Sequence, residues 1–229
     1  MLNGILVVNK PKGITSHDVV DIVRNKLGMH RIGHAGTLDP EATGVLVVLV
    51  GNATKLFDKF LSFEKEYLAT LTLGIKTSSG DAAGQILEKK SWQHITRQMV
   101  EEVIPKYIGE IFQIPPMVSA IKYKGQRLYK LARKGKDVQR AARRVLVKEL
   151  RLLEFSPPNL GLYIKCSRGT YVRKLAEDIA QDLGTVGFVS HIQRTKVGPF
   201  SLESAVNVND IDTSKVKPLN TIDQLLSSS

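Results

Sequence analysis

Residues 33–46 read GHAGTLDPEATGVL and run directly into the apolar stretch VLVVLV at 45–50. The first part contains glycines at 33, 36 and 44, a proline, and Asp39, for which no neighbouring base is an obvious partner. Glycines let a backbone bend and leave space beside it, so this pattern predicts a loop that approaches another molecule closely. The apolar run that follows predicts a buried strand over 45–50. Asp39 is either a functional acid or a turn residue, since Thr37 or Asp39 could also cap a helix beginning at Pro40.

The composition is that of a globular protein without a membrane anchor. The chain has 229 residues, of which 42% are hydrophobic, and its apolar run at 44–50 is too short for a membrane span. The N-terminus lacks the charged and apolar regions of a signal peptide. A single cysteine, Cys166, excludes an internal disulfide and cannot by itself build a zinc site. The sequence therefore predicts a cytoplasmic protein without a bound metal.

Positive charge is concentrated in one segment. The whole chain carries a formal charge of +11, and residues 119–151 alone contain twelve basic residues and two acids. A solvated surface loop usually mixes the two signs, whereas this segment does not, so we expect a polyanionic partner, most simply a nucleic acid. The dense part of the segment consists of Lys122, Lys124, Arg127, Lys130, Arg133, Lys134, Lys136, Arg140, Arg143 and Arg144.

Hydrophobic periodicity predicts more strands than helices. The helices predicted from apolar stripes and caps start at Ser16, at Thr54, at Thr96 and at Tyr171. The predicted strands cover 5–9, 45–50, 65–75, 145–155, 160–166 and 186–192, the last continuing toward 197. Several of these strands are joined by hairpin-length links. This favours an α+β fold with a mixed, largely antiparallel central sheet flanked by helices, and no linker divides residues 1–229 into separate domains.

The common catalytic motifs are absent from the sequence. There is no dinucleotide-binding glycine motif, no phosphate-binding loop, no paired histidines for a metal and no serine elbow. Two other stretches contain suitable side chains. CSRGTYVRKLAEDI (166–179) sets Arg168, Tyr171 and Arg173 around a helix start, where an arginine can pair with a distant carboxylate. EKEYLATLTLG (64–74) places Tyr67 on a strand, where its ring could stack on a base or belong to the core.

Seven stretches of the sequence follow one another through almost the whole chain in a recognisable order. They are VNKPKGITSHDVV (8–20), GHAGTLDPEATGVL (33–46), KEYLATLTLG (65–74), TSSGDAAGQI (77–86), PPMVSAIKYKGQRLYKLARKG (115–135), CSRGTYVRKL (166–175) and HIQRTKVGPF (191–200). Taken together, these stretches closely resemble the TruB family of tRNA pseudouridine synthases, and the Gly-His-x-Gly-x-Leu-Asp-Pro stretch is very specific.

The resemblance implies roles for individual residues. It implies that Asp39 is the catalytic aspartate, that Tyr67 stacks on the base and that Arg173 is the active-site arginine. His34 would enter the space left by the flipped-out nucleotide, and Ile192 would line the uracil pocket. Tyr171 would contact the substrate, as would Lys10 and Lys12, which lie in a Lys-Pro-x-Gly loop. Residues of the basic segment (about 119–145) that would grip the RNA backbone, as the family's thumb does, are Lys122, Arg127, Lys130, Arg133, Lys134, Arg143 and Arg144.

The resemblance also implies an activity and a substrate. The substrate would be the T-loop uridine at position 55 of tRNA, bound through the T stem-loop by a monomer and isomerised without cofactor or metal. The implied fold consists of two α/β halves that share one continuous sheet. The sequence departs from the family in two respects: DVQRAARRV (137–145) lacks a proline often found there, and Ala180 stands where relatives tend to have glycine. We also expect no further PUA-type RNA-binding domain.

The implied reaction requires a carboxylate, and Asp39 would supply it. Isomerisation breaks the uracil N1–C1′ bond and remakes it through C5, and an ionised carboxylate would attack C1′ or C6, or abstract a proton. We expect Arg173 to balance its charge. Two other functions are open: a non-catalytic RNA-binding module, and a glycosidase-like hydrolase, which needs a second carboxylate near the bond. Glu41 is near in sequence but would point elsewhere if a helix began at Pro40.

Overall fold

The fold is mixed α+β with a central, mostly antiparallel sheet, which confirms the predicted fold class. The structure is a computed structural model that describes residues 2–119, 121–123, 125–132 and 134–219. The helices are α1 (Ser16–Leu27), α2 (Phe57–Ser62), α3 (Arg97–Val103), α4 (Leu128–Ala132) and α5 (Val172–Asp182). The strands are β1 (Gly4–Lys10), β2 (Ile32–Ala35), β3 (Thr43–Val50), β4 (Lys65–Leu73), β5 (Ile75–Thr77), β6 (Ile86–Lys89), β7 (Gly109–Gln113), β8 (Lys122–Tyr123), β9 (Gln126–Arg127), β10 (Arg143–Ser156), β11 (Asn159–Cys166), β12 (Gly187–Val197), β13 (Phe200–Ser201), β14 (Val206–Asn207) and β15 (Lys217–Pro218).

The chain divides into two compact units. The first unit contains Met1–Tyr67 and Ile192–Ser229, and the second contains Leu68–His191. Strands of the first unit follow the order β14-β1-β3-β12, and those of the second follow β12-β4-β11-β10-β7. The chain passes between the units inside β4 and inside β12, not through linkers. The organisation of residues 1–229 as a single domain stays a prediction.

The apolar run at 45–50 forms the core of the first unit. It belongs to β3, which pairs antiparallel with β1 from Gly4↔Val50 to Lys10↔Gly44 and antiparallel with β2 on its other side. All six residues of the run are buried, because a strand flanked by strands and covered on both faces exposes neither face to water. Phe60 and Phe200 pack against one face of the run, with ring centroids 6.1 Å apart.

Two predicted helix caps differ from those observed. The N-cap of α1 is Thr15, not Ser16, because Thr15 and Asp18 form a reciprocal capping box and Ser16 is used elsewhere. The bond from the Thr15 N–H to Asp18 also lowers the pKa of that carboxyl. Thr54 does not cap a helix either: its hydroxyl donates to the Gly51 carbonyl within a 3₁₀ turn that precedes α2.

In the second unit, α5 packs directly on the sheet. A Cβ atom added to Gly187 of β12 would lie 2.6 Å from Leu71 Cδ1 and 2.8 Å from Ala180 Cβ, so the strand and the helix meet without space for a further side chain. Ala180 is therefore a close-packing position, which explains why only a small residue fits there. The apolar stripe of α5 is buried as predicted, and β10 pairs with both β11 and β7.

None of the described helices is both long enough and apolar enough to cross a bilayer.

Candidate active site

Asp39 lies in a short loop between β2 and β3. Glycines with positive φ flank the loop, 89° at Gly36 and 99° at Gly44, in a region that side chains rarely adopt. The Ala42 N–H donates to the Asp39 carbonyl at 3.1 Å and closes a turn. The helix at Pro40 that the sequence left open does not form, since residues 37–42 have only turn or irregular structure. The Asp39 residue is partly exposed, which leaves it accessible to a ligand.

Hydrogen bonds from other elements hold the backbone on both sides of Asp39. Before it, the Leu38 N–H donates to Ser16 Oγ at 2.8 Å, and the Ser16 hydroxyl donates to the Leu38 carbonyl at 3.0 Å. After it, the Pro40 carbonyl accepts from Lys10 Nζ at 3.2 Å and from the Gly13 N–H at 2.9 Å. Because these bonds involve backbone atoms, they fix the main chain that carries Asp39.

Lys10 is completely buried at the end of β1. Besides Pro40, its ammonium donates to the carbonyls of Pro11 at 2.8 Å and Ile14 at 2.7 Å, which uses all three of its donors on the protein itself. Burial lowers the pKa of Lys10 to about 8, while the charges of Asp39 and Glu41 act in the opposite direction. Lys10 therefore positions this loop, and its predicted contact with a substrate stays a prediction.

The remaining predicted residues of the first unit lie on strands and on the neighbouring turn. Lys12 is exposed and pairs with Glu41, with Nζ and Oε2 2.9 Å apart. His34 lies on β2 opposite Val48 and is partly buried. Tyr67 lies on β4 and is buried, and the partly buried Ile192 lies on β12, where its carbonyl accepts from the Thr43 hydroxyl at 3.5 Å.

Arg173 lies in the first turn of α5, in the second unit, and is buried. Its Nη1 donates to the Ser79 carbonyl at 2.6 Å, and its Nη2 donates to the Val118 carbonyl at 2.9 Å. Nη1 also lies 3.6 Å from Asp81 Oδ2, an acid that the sequence analysis did not single out although it belongs to the quoted stretch 77–86. The pairing of Arg173 with Asp39 stays a prediction.

Tyr171 precedes α5 and is held by Gln113 of β7. The Gln113 side chain accepts from the Tyr171 N–H at 3.0 Å and donates to the Tyr171 carbonyl at 3.4 Å. Gln113 is buried, and an amide that bonds a backbone in both directions fixes both its own orientation and that of the bonded segment. The sequence analysis missed this role, and the only local signal is an amide just before Ile114 and Pro115.

The basic segment is partly described. Its chain forms the β8–β9 pair, in which Lys122 is opposite Arg127, and then the short helix α4. Of the predicted RNA-gripping residues, Lys134, Arg143 and Arg144 are exposed, and Arg144 pairs with Glu110 at 3.1 Å. Arg133 and the side chains of Lys122, Arg127 and Lys130 lie outside the described residues.

Within the described ranges, no group of three or more His, Cys, Asp or Glu side chains could hold a metal ion.

Comparison with protein families gives two adjoining matches. Residues 24–172 match the model of the TruB family pseudouridylate synthase (N terminal domain), and residues 173–227 match that of the tRNA pseudouridylate synthase B C-terminal domain. A tRNA pseudouridine synthase B of Francisella tularensis subsp. tularensis is 46% identical over 92% of this chain and 70% of its own length.

Solved structures give the same fold. A Cbf5-Nop10-Gar1 complex matches with a TM-score of 0.74 and 27% identity over 94% of this chain. An H/ACA RNP bound to a substrate RNA containing 2′-deoxyuridine matches with a TM-score of 0.67 and 25% identity over 90% of this chain. This chain covers only 60% and 51% of those two chains. The family matches, the identity to the curated relative and the fold together show that the chain belongs to the TruB family of pseudouridylate synthases.

Proposed function

We propose that this chain isomerises the T-loop uridine at position 55 of tRNA to pseudouridine, with Asp39 as the catalytic carboxylate. One observation carries the proposal. The backbone on both sides of Asp39 is held by Ser16 and Lys10, whereas the residue itself is partly exposed. A carboxylate on a fixed backbone with an accessible side chain suits a reaction that requires it within bonding distance of one atom.

The reaction needs one ionised carboxylate and a uridine whose nucleobase has flipped out of the stacked loop. The N1–C1′ bond breaks, the uracil turns, a C5–C1′ bond forms, C5 loses its proton and N1 gains one, so that no atom is lost or added. Asp39 would attack C1′ or C6, or take up a proton, and each of these roles requires the ionised form. The buried ammonium of Lys10 interacts electrostatically with Asp39, whose charge raises the pKa of Lys10.

The other predicted residues bind and position the nucleotide. Flipping a uridine out of a stacked loop costs a few kcal/mol, which stacking on Tyr67 and insertion of His34 into the gap would offset. Arg173 is preorganised by Ser79, Val118 and Asp81, so its guanidinium is already fixed before RNA binds. A preformed guanidinium can stabilise developing negative charge without reorganising during the reaction.

The basic segment supports an RNA substrate. Lys134, Arg143 and Arg144 project into solvent, and the surrounding residues 119–151 carry ten more positive than negative charges, from twelve basic residues and two acids. Such a segment binds phosphates and steers association. We infer that it grips the T stem-loop. The monomeric state and the cytoplasmic location expected from the sequence stay predictions.

The geometry favours this function over a glycosidase-like hydrolase. Such an enzyme requires a second carboxylate that gives or takes a proton at the scissile bond. Glu41, the nearest candidate in sequence, is instead engaged with Lys12.

One assay separates the three candidate functions. The protein is incubated with an unmodified tRNA transcript, and the products are analysed for pseudouridine and free uracil. We expect pseudouridine at position 55, and none when a transcript with cytidine at that position is used. Release of free uracil would indicate a hydrolase, and binding without either product would indicate a non-catalytic module.

A further inference from the structure

Arg194 of β12 connects the two ends of the Asp39 loop. Its Nη2 donates to the Gly36 carbonyl at 3.0 Å, just before the loop, and its Nε donates to the Val45 carbonyl at 2.7 Å, just after it. Only 1% of this residue is exposed, so both bonds are formed away from water. The Arg194 guanidinium therefore links the chain just after β2 to β3, the two strands that the Asp39 loop connects.

The backbone of Arg194 lies equally close to the loop. Arg194 pairs with Gly44 in the parallel pairing of β3 with β12. A Cβ atom added to Gly44 would lie 2.2 Å from the Arg194 carbonyl oxygen, so any residue other than glycine would push the two strands apart. Gly44 thus allows β12 to lie close to β3. This close pairing brings the Arg194 guanidinium within hydrogen-bonding distance of the Gly36 and Val45 carbonyls.

A buried cation in this position also has an electrostatic effect. The charge of Arg194 contributes to lowering the pKa of Lys10, so the two buried cations interact with each other. Like charges repel in a low-dielectric interior, and the carboxylates that interact with Lys10 there include Asp39. The loop therefore combines two buried cations with an acid whose charge acts on one of them, Lys10.

We propose that Arg194 is a positioning residue for the reaction, which holds the Asp39 loop in its productive geometry by binding both of its ends. The proposal rests on the proposed function of Asp39. Arginine is the residue suited to this task, because its rigid fork carries donors at Nε and Nη that reach two carbonyls at once. Lysine keeps the charge, but its donors all lie on one nitrogen, so it cannot place separate nitrogens against the Gly36 and Val45 carbonyls.

Three variants test the proposal. Arg194→Met removes the charge and both bonds, and Arg194→Lys keeps the charge. Phe60→Leu is the control for lost stability, since Phe60 is a buried core residue of α2 in the same unit without a bond to the loop. For each variant we would measure the melting temperature, the tRNA dissociation constant, the single-turnover rate and amide exchange in peptides spanning residues 36–45.

The expected result is a change in rate without a change in RNA affinity. A loop displaced by about 1 Å can slow a reaction by roughly 100-fold, so we expect a loss of that size in Arg194→Met and a smaller loss in Arg194→Lys. Exchange at the Leu38 and Ala42 amides should become faster in Arg194→Met. Phe60→Leu should keep its rate at temperatures where it is folded.

Several results would overturn the proposal. They are a folded Arg194→Met with parental rate and loop exchange, a rate loss no greater than that of Phe60→Leu, and a loss confined to RNA affinity. If Arg194→Met does not fold, a fully active Arg194→Lys with unchanged loop exchange refutes the proposal instead. A parent protein that makes no pseudouridine would refute the proposed function, whereas the exchange measurement still tests whether Arg194 holds the loop.

Discussion

Replacing Asp39 with asparagine tests the central assignment, because it removes the charge and keeps the size of the side chain. The bonds that hold the loop run to the backbone of Leu38 and Pro40, and the turn bond from Ala42 runs to the Asp39 carbonyl. None of them involves the Asp39 carboxylate. Asparagine has the same size and hydrogen-bonding shape, so a turn or cap role would survive the change.

The structure allows the size of each effect to be worked out. Because the backbone bonds remain, we expect the free energy of unfolding to fall by less than about 2 kcal/mol. The pKa of Lys10 should fall below its value of about 8, since the Asp39 charge that raises it is gone. RNA affinity should be unchanged or higher, because a negative charge near the phosphates is removed. Turnover should fall by about 10⁴ or more, as when an essential catalytic group is lost.

The assay is tritium release from 5-tritiated uridine in tRNA, accompanied by a filter-binding curve and a melting curve. Glu41→Gln is the matched control: it removes a carboxylate two residues along the chain, together with the partly exposed pair with Lys12 and a charge that, like that of Asp39, acts on Lys10, so it should remain active. Appreciable turnover by a folded Asp39→Asn protein would refute the assignment and return Asp39 to a turn role. Equal losses in both variants would show that general loop charge, and not Asp39, supports the reaction.

Three further predictions concern other residues. If about six cations meet phosphates, log K should fall with log salt at a slope of roughly −4 to −5, and neutralising Lys134, Arg143 and Arg144 should flatten it by about 2 to 3; an unchanged slope would place the RNA elsewhere. Tyr67→Phe should stay active if the ring only stacks, and Tyr67→Leu should lose about 1–3 kcal/mol of base stacking, whereas an inactive Phe variant with normal RNA binding would assign the hydroxyl a proton-transfer role. The pKa of Lys10 is lowered from 10.5 to about 8, so between these pH values the unfolded chain binds a proton that the folded chain does not, and stability should rise with pH by up to about 3 kcal/mol. Denaturant titrations should show that Lys10→Met lacks this rise, and an identical pH dependence in both proteins would contradict the lowered pKa.

Local sequence patterns determined most of the regular structure. The apolar run of β3, the stripe of α5 and the Pro157–Pro158 link between β10 and β11 each depend on residues within about a dozen positions of one another, so periodicity and turn chemistry were enough to predict them. The glycines around Asp39 likewise predicted the loop that is observed. The prediction of a helix cap was wrong where two hydroxyl residues are adjacent, as at Thr15 and Ser16. Either hydroxyl can cap a helix, and the segment packed beside them decides which one does.

Only the tertiary structure revealed what holds the candidate catalytic residues in place. Ser16 bonds Leu38 across 22 positions, Gln113 bonds Tyr171 across 58, Arg173 bonds Ser79 across 94 and Arg194 bonds Gly36 across 158. No local pattern marks such pairs, since a serine, glutamine or arginine within an otherwise ordinary strand or helix looks like any surface residue. Their partners are backbone carbonyls and amides, which every residue has, so the sequence alone cannot distinguish one partner from another. Burial makes the choice: once the chain has folded, a polar group removed from water must bond to whichever backbone atom the fold has brought beside it.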